Sequence, residues 1–339
     1  MSNTMLAVVK EKAAPGVVIK QIPIPRPNKG ELLIKVKNAS ICGTDIGIYD
    51  WSDWAAGHIT PPIVIGHEVV GEVIEINATE PTNIKIGDFV SSETHIFCGY
   101  CYQCKIGNLH VCENMELFGI GRNGGFAQYA TIPVRTSWKN DTSIPLEAMS
   151  VQEPLGNAVH VVNKASVMGK KVLVVGLGPT GLCAAAAAQA LGASEVIAVD
   201  PVVYRQKLAK KFADIQTISK LDPKMYNSFD AVLEMSGHPA GIQSAFDAVR
   251  IAGTIIAFGI PKSEISVNWG KYLINKELTI HSVFGRRIWE TWYQTTQLLQ
   301  SGKIDLTKII THTYNLADFE EAMSVMKSGE CGKILLEIA

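Results

Sequence analysis

Four cysteines fall within fifteen residues in the pattern Cys98-x-x-Cys101-x-x-Cys104-x7-Cys112. Thiolate sulfur is a preferred donor for zinc, and four sulfurs close a tetrahedron with no position left for a substrate. A metal held this way does no chemistry and is structural. Gly99 and Gly107 let the loop turn tightly enough to point its sulfurs inward. Backbone N–H groups are the donors expected to offset the four negative charges. Reduced, inert cysteines are the ordinary alternative, and the crowding argues against it. A fifth cysteine opens Cys42-Gly43-Thr44-Asp45, and a histidine beside a carboxylate occurs in Gly66-His67-Glu68-x-x-Gly71. Cys, His and carboxylate together are the mixed ligand set of a zinc that keeps one position open for catalysis. Singly, Cys42 also reads as a small buried hydrophobe and His67 as a hydrogen-bonded structural imidazole. No spacing rule joins residues 42 and 67.

A glycine-rich turn, Gly176-Leu177-Gly178-Pro179-Thr180-Gly181, follows the apolar run Lys171–Val175. Alone that pattern is weak, but here it follows a strand and opens a helix, and Asp200 lies nineteen residues beyond Gly181. This is the setting of a dinucleotide site. Gly176 makes the turn, Gly178 admits the pyrophosphate, and Gly181 lets helix and strand pack. Pro179 and Thr180 begin the helix whose free N–H groups and dipole meet the pyrophosphate. Asp200 is expected to accept from the adenosine ribose hydroxyls and to repel a 2′-phosphate, which favours NAD over NADP; Arg205 close by weakens that preference.

The elements that must position these groups divide in two. The first part is β-rich, with strands predicted at 32–36, 63–65, 69–76 and 88–90. After about residue 153 strands and helices alternate: strands at 171–176, 195–200, 231–234, 254–259 and 278–283, and helices at 180–191 and 203–212. Alternation of this kind implies a parallel sheet. A long helix is predicted over 288–300, then a helix at 316–327 and a strand at 333–338 that rejoin the first part. With 339 residues, 47% hydrophobic and 19% charged, the chain can fill two cores, and a net charge of −1 gives no field for nucleic acid. Val172–Ala193 carries no charge and is long enough for a bilayer, but its glycines favour a buried strand and helix, so no membrane is expected. Leu6–Val9 is too short for a signal-peptide core, and crowded cysteines without one point to a reducing cytoplasm.

In this order the motifs resemble the zinc-containing medium-chain alcohol dehydrogenase family over essentially the whole chain. The resemblance implies an α/β two-domain protein. A GroES-like β-barrel catalytic domain is expected over 1–153, with a structural-zinc lobe at about 93–115. A Rossmann NAD-binding domain with a doubly wound parallel sheet follows over 154–294, and a C-terminal segment, 295–339, rejoins the barrel. It implies two zinc ions per chain, the catalytic one held by Cys42, His67 and a carboxylate. Glu68 and Glu153, in Gln152-Glu153-Pro154-Leu155, both match positions that ligate or approach that metal. Thr44 matches the hydroxyl that bonds the substrate oxygen and passes its proton outward. Further cofactor contacts are expected at Phe258, Gly259, Ile260, Val283 and Phe284, and a homo-oligomer, a tetramer foremost.

Further segments resemble the branch of the family that oxidises L-threonine to 2-amino-3-oxobutanoate: Ile48–Ala55, Glu93-Thr94-His95-Ile96-x-Cys98, Leu155–Ala158 and Gly285-Arg286-x-x-Trp289-Glu290-Thr291-Trp292-Tyr293. His95 matches a histidine at the amino-acid end of the substrate site; the plain alternative is a satisfied loop histidine. The ammonium and carboxylate of such a substrate need partners among His95, Glu153 and the Arg286-Arg287 pair. Trp289 and Trp292 read as a core-facing helix stripe. Two positions depart: Asn77 stands where the Gly-His-Glu pattern more often has Gly, a left-handed position that Asn tolerates, and Gly47 stands where that branch carries a histidine, so the proton route from Thr44 lacks its imidazole. This keeps a polyol or vicinal-diol dehydrogenase open. A non-catalytic NAD-binding protein is the rival of another class, opposed by Cys42, Thr44, His67, Glu68 and Glu153 occurring together. Tyr272 and Lys276 match the Tyr-x-x-x-Lys pair of short-chain dehydrogenases, but they lie nearly a hundred residues past the glycine turn and are read as coincidence. Cys183 reads as buried packing, and Cys331 has no assigned role.

Overall fold

The computed structural model describes residues 3–338. The chain up to Glu153 and the chain from Ile310 onward form one compact unit, and Pro154–Ile309 form another.

In the first unit β1 (Thr4–Lys10) pairs antiparallel with β2 (Val18–Pro23) and with β4 (Ile63–Val64). The larger sheet is built on β3 (Glu31–Ile41), β5 (Glu68–Asn77), β6 (Phe89–Ser92), β9 (Tyr129–Pro133) and β10 (Ser137–Lys139), with β17 (Ile310–Asn315) and β18 (Lys333–Glu337) from the returning chain. Its order is β10-β6-β5-β3-β18-β17, and β9 also pairs with β3. Nine of the eleven residues of β3 are buried, because β3 sits inside the sheet and packs on both faces. Its core includes Ile34, Ile41, Val69, Phe126, Phe319 and Leu336. β7 (His95–Ile96) and β8 (Glu116–Leu117) form a short hairpin-like pair beside the cysteine lobe.

In the second unit β11 (Lys171–Val175), β12 (Glu195–Val199), β13 (Gln216–Ile218), β14 (Phe229–Glu234), β15 (Val249–Ala257) and β16 (Thr279–Ser282) make a parallel sheet of order β13-β12-β11-β14-β15-β16. The order reverses beside β11, and a crevice at the carboxyl ends of strands at such a point is where α/β sheets take ligands. The uncharged run 172–193 resolves into β11 and the helix Pro179–Ala190, in which eight residues are buried. Among the described residues no helix is long and apolar enough to cross a membrane.

The units do not part at 294. The helix Glu290–Gln300 buries Thr291, Trp292, Thr295 and Leu298, and the turn Leu306–Ile309 buries both of its ends. These side chains keep residues 295–309 in the second unit, so the return to the first begins at Ile310 rather than 295. Two helices had no clear signal in the sequence. Gln152–Ala165 carries Pro154 in its first turn, where proline is tolerated, and Pro239–Ala248 has proline at its first position.

Candidate active site

The register of β3 against β5 places Ser40 opposite Glu68, and this brings the two motifs together. Cys42 follows β3 and precedes the helix Gly43–Asp50, while His67 immediately precedes β5 and Glu68 opens it. Gly66, at φ +95°, turns the chain into His67; a Cβ there would lie 2.3 Å from the Phe126 ring. One ligand atom each from Cys42, His67 and Glu68 lies within 4.8 Å of the others.

The surroundings fix the donors. Asp45 Oδ2 accepts from the Cys42 backbone N–H at 2.8 Å, holding the start of the helix. Asp45 Oδ1 lies 3.6 Å from His67 Nδ1, an electrostatic contact longer than a hydrogen bond. An orienting carboxylate on one ring nitrogen of a ligating histidine leaves the other for the metal. Glu68 Oε2 accepts from Ser40 Oγ and from the ammonium of Lys333, which also donates to the Ile41 carbonyl at 3.0 Å. Lys333 is fully buried, 1% exposed. Its burial disfavours the charge, yet the fields of Glu68, Cys42 and Glu153 raise its pKa. Glu68 Oε1, Asp45 Oδ1 and His67 Nδ1 are buried without a hydrogen-bond partner. The orphaned Asp45 Oδ1 and His67 Nδ1 face each other, and the orphaned Glu68 Oε1 beside a cysteine sulfur and an imidazole fits a zinc ion with one position left open.

Burial opposes the imidazolium of His67, but Asp45, Cys42 and Glu68 raise it to about 10. A metal takes only neutral imidazole. Zinc uptake by the metal-free protein at pH 7 therefore displaces a proton from His67, and affinity falls as pH is lowered. Titrating zinc into weakly buffered apoprotein with a pH indicator counts the protons released, to which the cysteine thiols also contribute; a His67→Ala variant that releases as many protons per zinc bound refutes His67 as ligand.

Thr44 is half-buried in the first turn of the helix, its Oγ1 3.8 Å from Cys42 Sγ. Glu153 is buried and acts electrostatically on Lys333, but lies outside the 4.8 Å set formed by Cys42, His67 and Glu68. His95 is buried in β7, where its Nδ1 bonds Glu93. A side chain at Gly47 would begin 3.2 Å from Ser52 Oγ, which accepts from Ala55 N–H and caps the next helix. Ser52 thus occupies room that a side chain at 47 would take. The Arg286-Arg287 pair is committed elsewhere. Arg286 is fully buried, donates to Asn157 Oδ1 at 3.0 Å and lies over the Trp292 ring, while Arg287 pairs with Glu290 at 2.7 Å. Asp45, Ser40 and Lys333 are the residues that sequence reasoning did not single out.

The ligand sulfurs of Cys98, Cys101, Cys104 and Cys112 also fall within 4.8 Å of one another. Cys98 and Asn114 backbone N–H groups donate to Cys112 Sγ at 3.3 Å, and that of Cys101 to Cys98 Sγ at 3.4 Å. Against burial, donation from Tyr100, Cys101 and Asn114 pulls the Cys98 thiol down to about 6, whereas burial pushes Cys104 up to about 12. Four sulfurs this close do not all ionise without a cation. Cys104→Ser is expected to release one zinc and lower the unfolding temperature by several degrees while leaving KM values within about twofold. Metal analysis beside a thermal melt checks this, and unchanged zinc content would contradict it.

In the second unit Gly176 has φ +95°, and a Cβ at Gly181 would lie 2.0 Å from the Gly176 carbonyl oxygen. A Cβ at Gly178 meets nothing within 4 Å, so that side of the turn is open. Gly178 caps the helix Pro179–Ala190 without a side-chain hydrogen bond, leaving its first N–H groups for an anion. Asp200 is buried at the end of β12; it accepts from Leu177 N–H and Val202 N–H, each at 2.8 Å, and lies 3.6 Å from Arg205. Phe258, Gly259 and Ile260 follow β15 and Val283 and Phe284 follow β16, all at the carboxyl edge of the sheet. Tyr272 and Lys276 lie apart from this edge. Lys276 donates to the Val249 carbonyl at 2.8 Å and Tyr272 donates to Asp247 at 2.7 Å, closing the end of the helix Pro239–Ala248. Cys183 is buried in the helix Pro179–Ala190, and Cys331 packs on the Met326 sulfur at 3.7 Å.

Residues 28–142 match the family model of the alcohol dehydrogenase GroES-like domain, and residues 179–301 that of the zinc-binding dehydrogenase. An L-threonine 3-dehydrogenase of Pyrococcus abyssi is 43% identical over 345 aligned positions, covering 99% of both chains. The chain belongs to the zinc-containing medium-chain alcohol dehydrogenase family. A solved alcohol dehydrogenase from Escherichia coli CFT073, complexed with cofactor NADH, superposes with a TM-score of 0.89 at 28% identity, covering 99% of this chain and 100% of the other. The 2R,3R-butanediol dehydrogenase of Bacillus subtilis gives 0.88 at 26% identity, with 98% and 99% covered. As a member of this family the protein is a zinc-dependent alcohol dehydrogenase that uses a nicotinamide dinucleotide, and its GroES-like and Rossmann domains are those of the family.

Proposed function

We propose that the protein oxidises the secondary hydroxyl of L-threonine to a ketone, giving 2-amino-3-oxobutanoate, NADH and a proton. The observation that carries this is the full-length identity of 43% to an enzyme of that name, where the butanediol dehydrogenase reaches 26%. Bound zinc supplies Lewis-acid polarisation of the alcohol oxygen and NAD accepts the hydride. Cys42 and His67 hold the metal, with Glu68 or Glu153 as the carboxylate ligand. Thr44 takes the hydroxyl hydrogen bond and directs the proton outward, by water rather than through an imidazole, because position 47 is glycine. Lys333 and Ser40 hold Glu68 by one oxygen and leave the other without a hydrogen-bond partner, available to the metal. Asp200 favours NAD by accepting from ribose hydroxyls, with Arg205 turned to its carboxylate. His95 lies at the substrate's amino-acid end.

The test follows NADH absorbance with zinc-loaded protein and NAD over L-threonine, 2,3-butanediol, sorbitol and simple secondary alcohols. Turnover of L-threonine at least about tenfold above the rest supports the proposal. A diol or polyol as best substrate overturns it, and makes Gly47 the first residue to examine. Metal analysis is expected to give two zinc ions per chain.

We further propose a cytoplasmic homo-oligomer, a tetramer foremost. In its support, β16 is one of the sheet's two edge strands, all four of its residues are exposed, and none is Asp, Glu, Lys or Arg. A bare edge without acidic or lysine and arginine side chains invites pairing with another copy. Trp269 at 66% and Ile274 at 66% exposure add apolar surface in the same unit. Ile280→Lys is expected to lower the assembly state by light scattering; an unchanged mass removes β16 from the interface.

A further inference from the structure

β14 ends on Glu234, a carboxylate buried at 3% exposure that neither the zinc site nor the proton route uses. β14 neighbours β11 where the strand order reverses, so Glu234 stands at the carboxyl edge of the sheet beside the glycine turn. The partners of its carboxylate are all neutral donors from the turn that follows it. Oε1 accepts from Ser236 N–H at 2.9 Å, from Gly237 N–H at 3.1 Å and from the Ser236 hydroxyl. Burial without a cation beside it pushes the Glu234 carboxyl above its ordinary range, against the pull of these donors. The same residue also holds the turn after the next strand: its carbonyl accepts from Phe258 N–H and Gly259 N–H, each at 3.0 Å.

Three turns meet at this point with no room for side chains between them. A Cβ at Gly259 would lie 2.0 Å from Gly237 N and 2.8 Å from Glu234 Oε2, and one at Gly237 would lie 2.5 Å from the Ile260 carbonyl oxygen. A Cβ at Gly176 would lie 2.8 Å from Ser236 Cβ, and Met235 N–H donates to the Val175 carbonyl at 2.9 Å. The turn 235–237 is thus wedged between Gly176 and the segment 258–260, with Glu234 as its side-chain anchor. Removing the acceptor strands two N–H groups and a hydroxyl, and the turn must rotate to reach other partners. Contacts this close pass such a shift to both neighbours. We propose that Glu234 is a positioning residue that locks the turn 235–237 between the glycine turn and Phe258–Ile260, and so sets the shape of the dinucleotide's cradle. This rests on the reading of Gly176–Gly181 and Phe258–Ile260 as cofactor contacts.

The experiment measures NADH binding by fluorescence on zinc-loaded protein, beside zinc content and a thermal melt. Glu234→Leu fills the space but accepts nothing. It is expected to weaken NADH binding about tenfold, while zinc content stays that of the wild type and KM for the alcohol at saturating NAD stays within about twofold. Glu234→Gln presents an oxygen where Oε1 stands, accepts from the same donors and is expected to bind NADH within about twofold of wild type. Gly259→Ala forces the same turns apart and weakens binding on its own; in the Glu234→Leu background it is expected to add less than it costs alone. A Glu234→Leu variant with a lower melting temperature but unchanged NADH affinity, a Gln variant as weak as Leu, or fully additive losses each overturn the proposal. If Glu234→Leu does not fold, Glu234→Asp withdraws the acceptor by one carbon, and wild-type NADH affinity in that variant overturns the proposal equally. Gly178→Val, which places bulk on the open side of the glycine turn, separates the two readings. If it binds NADH as the wild type does, the cofactor turn is misassigned and this inference falls with it. If it abolishes binding while Glu234→Leu leaves binding unchanged, only the role of Glu234 falls.

Discussion

Cys42→Ser is expected to lower turnover by about 10³-fold or more and to remove one of two zinc ions while the fold survives. Losing several kcal/mol of charge stabilisation at the alcohol oxygen corresponds to that factor, each 1.36 kcal/mol being tenfold. Serine keeps the size of the side chain but not the thiolate that zinc prefers. The backbone around it does not depend on the sulfur: Asp45 holds the Cys42 N–H, and β3 pairs with β5 up to Ser40 and with β18 up to Ile41. The nucleotide turn at Gly176–Gly181 belongs to the other unit, so NADH binding, followed by fluorescence, is expected to stay within about twofold of wild type. Loss of activity together with loss of NADH binding would mean a folding defect, and the metal assignment would then gain nothing. Near-normal activity with one zinc missing would show that the metal at Cys42 is not the catalytic one.

The residue types of this site were legible in the sequence, but not their meeting. Cys42 and His67 are joined by the register that sets Ser40 against Glu68, and no local spacing encodes a pairing between strands that far apart. The nucleotide turn was legible because all its parts are local: a strand, three glycines and a helix start within eleven residues, with Asp200 at the end of the next strand. Lys333 was not legible for the opposite reason. A lysine opening an apolar strand ordinarily reads as its solvated end, yet the pairing of Ile334 with Ile41 carries Lys333 into the interior beside Glu68. The long helix near residue 290 was visible, but the expected break at 294 came from the family resemblance rather than from the packing of these residues. Trp292 and Leu298 are buried, and only the folded chain could show it.

Removing the charge of Lys333 tests the network that sequence reasoning missed, and Lys333→Met is expected to destabilise the metal-free protein by about 3–5 kcal/mol. Lys333 and Glu68 are 1% exposed each, so the variant leaves a carboxylate buried with only Ser40 donating to it among the bonds described. Methionine fills most of the volume, so little of the loss comes from a cavity. Two companion measurements separate pairing from packing. Glu68→Gln in the Lys333→Met background removes the stranded charge and is expected to restore part of the stability, a coupling that packing alone does not produce. Zinc added to Lys333→Met is expected to shrink the deficit, because a cation ligated by Glu68 Oε1 supplies the compensation that the ammonium no longer gives. Denaturant melts with and without chelator read both effects. A deficit that is the same with and without zinc would show that Glu68 does not face the metal, and would leave Glu153 as the carboxylate that completes the site.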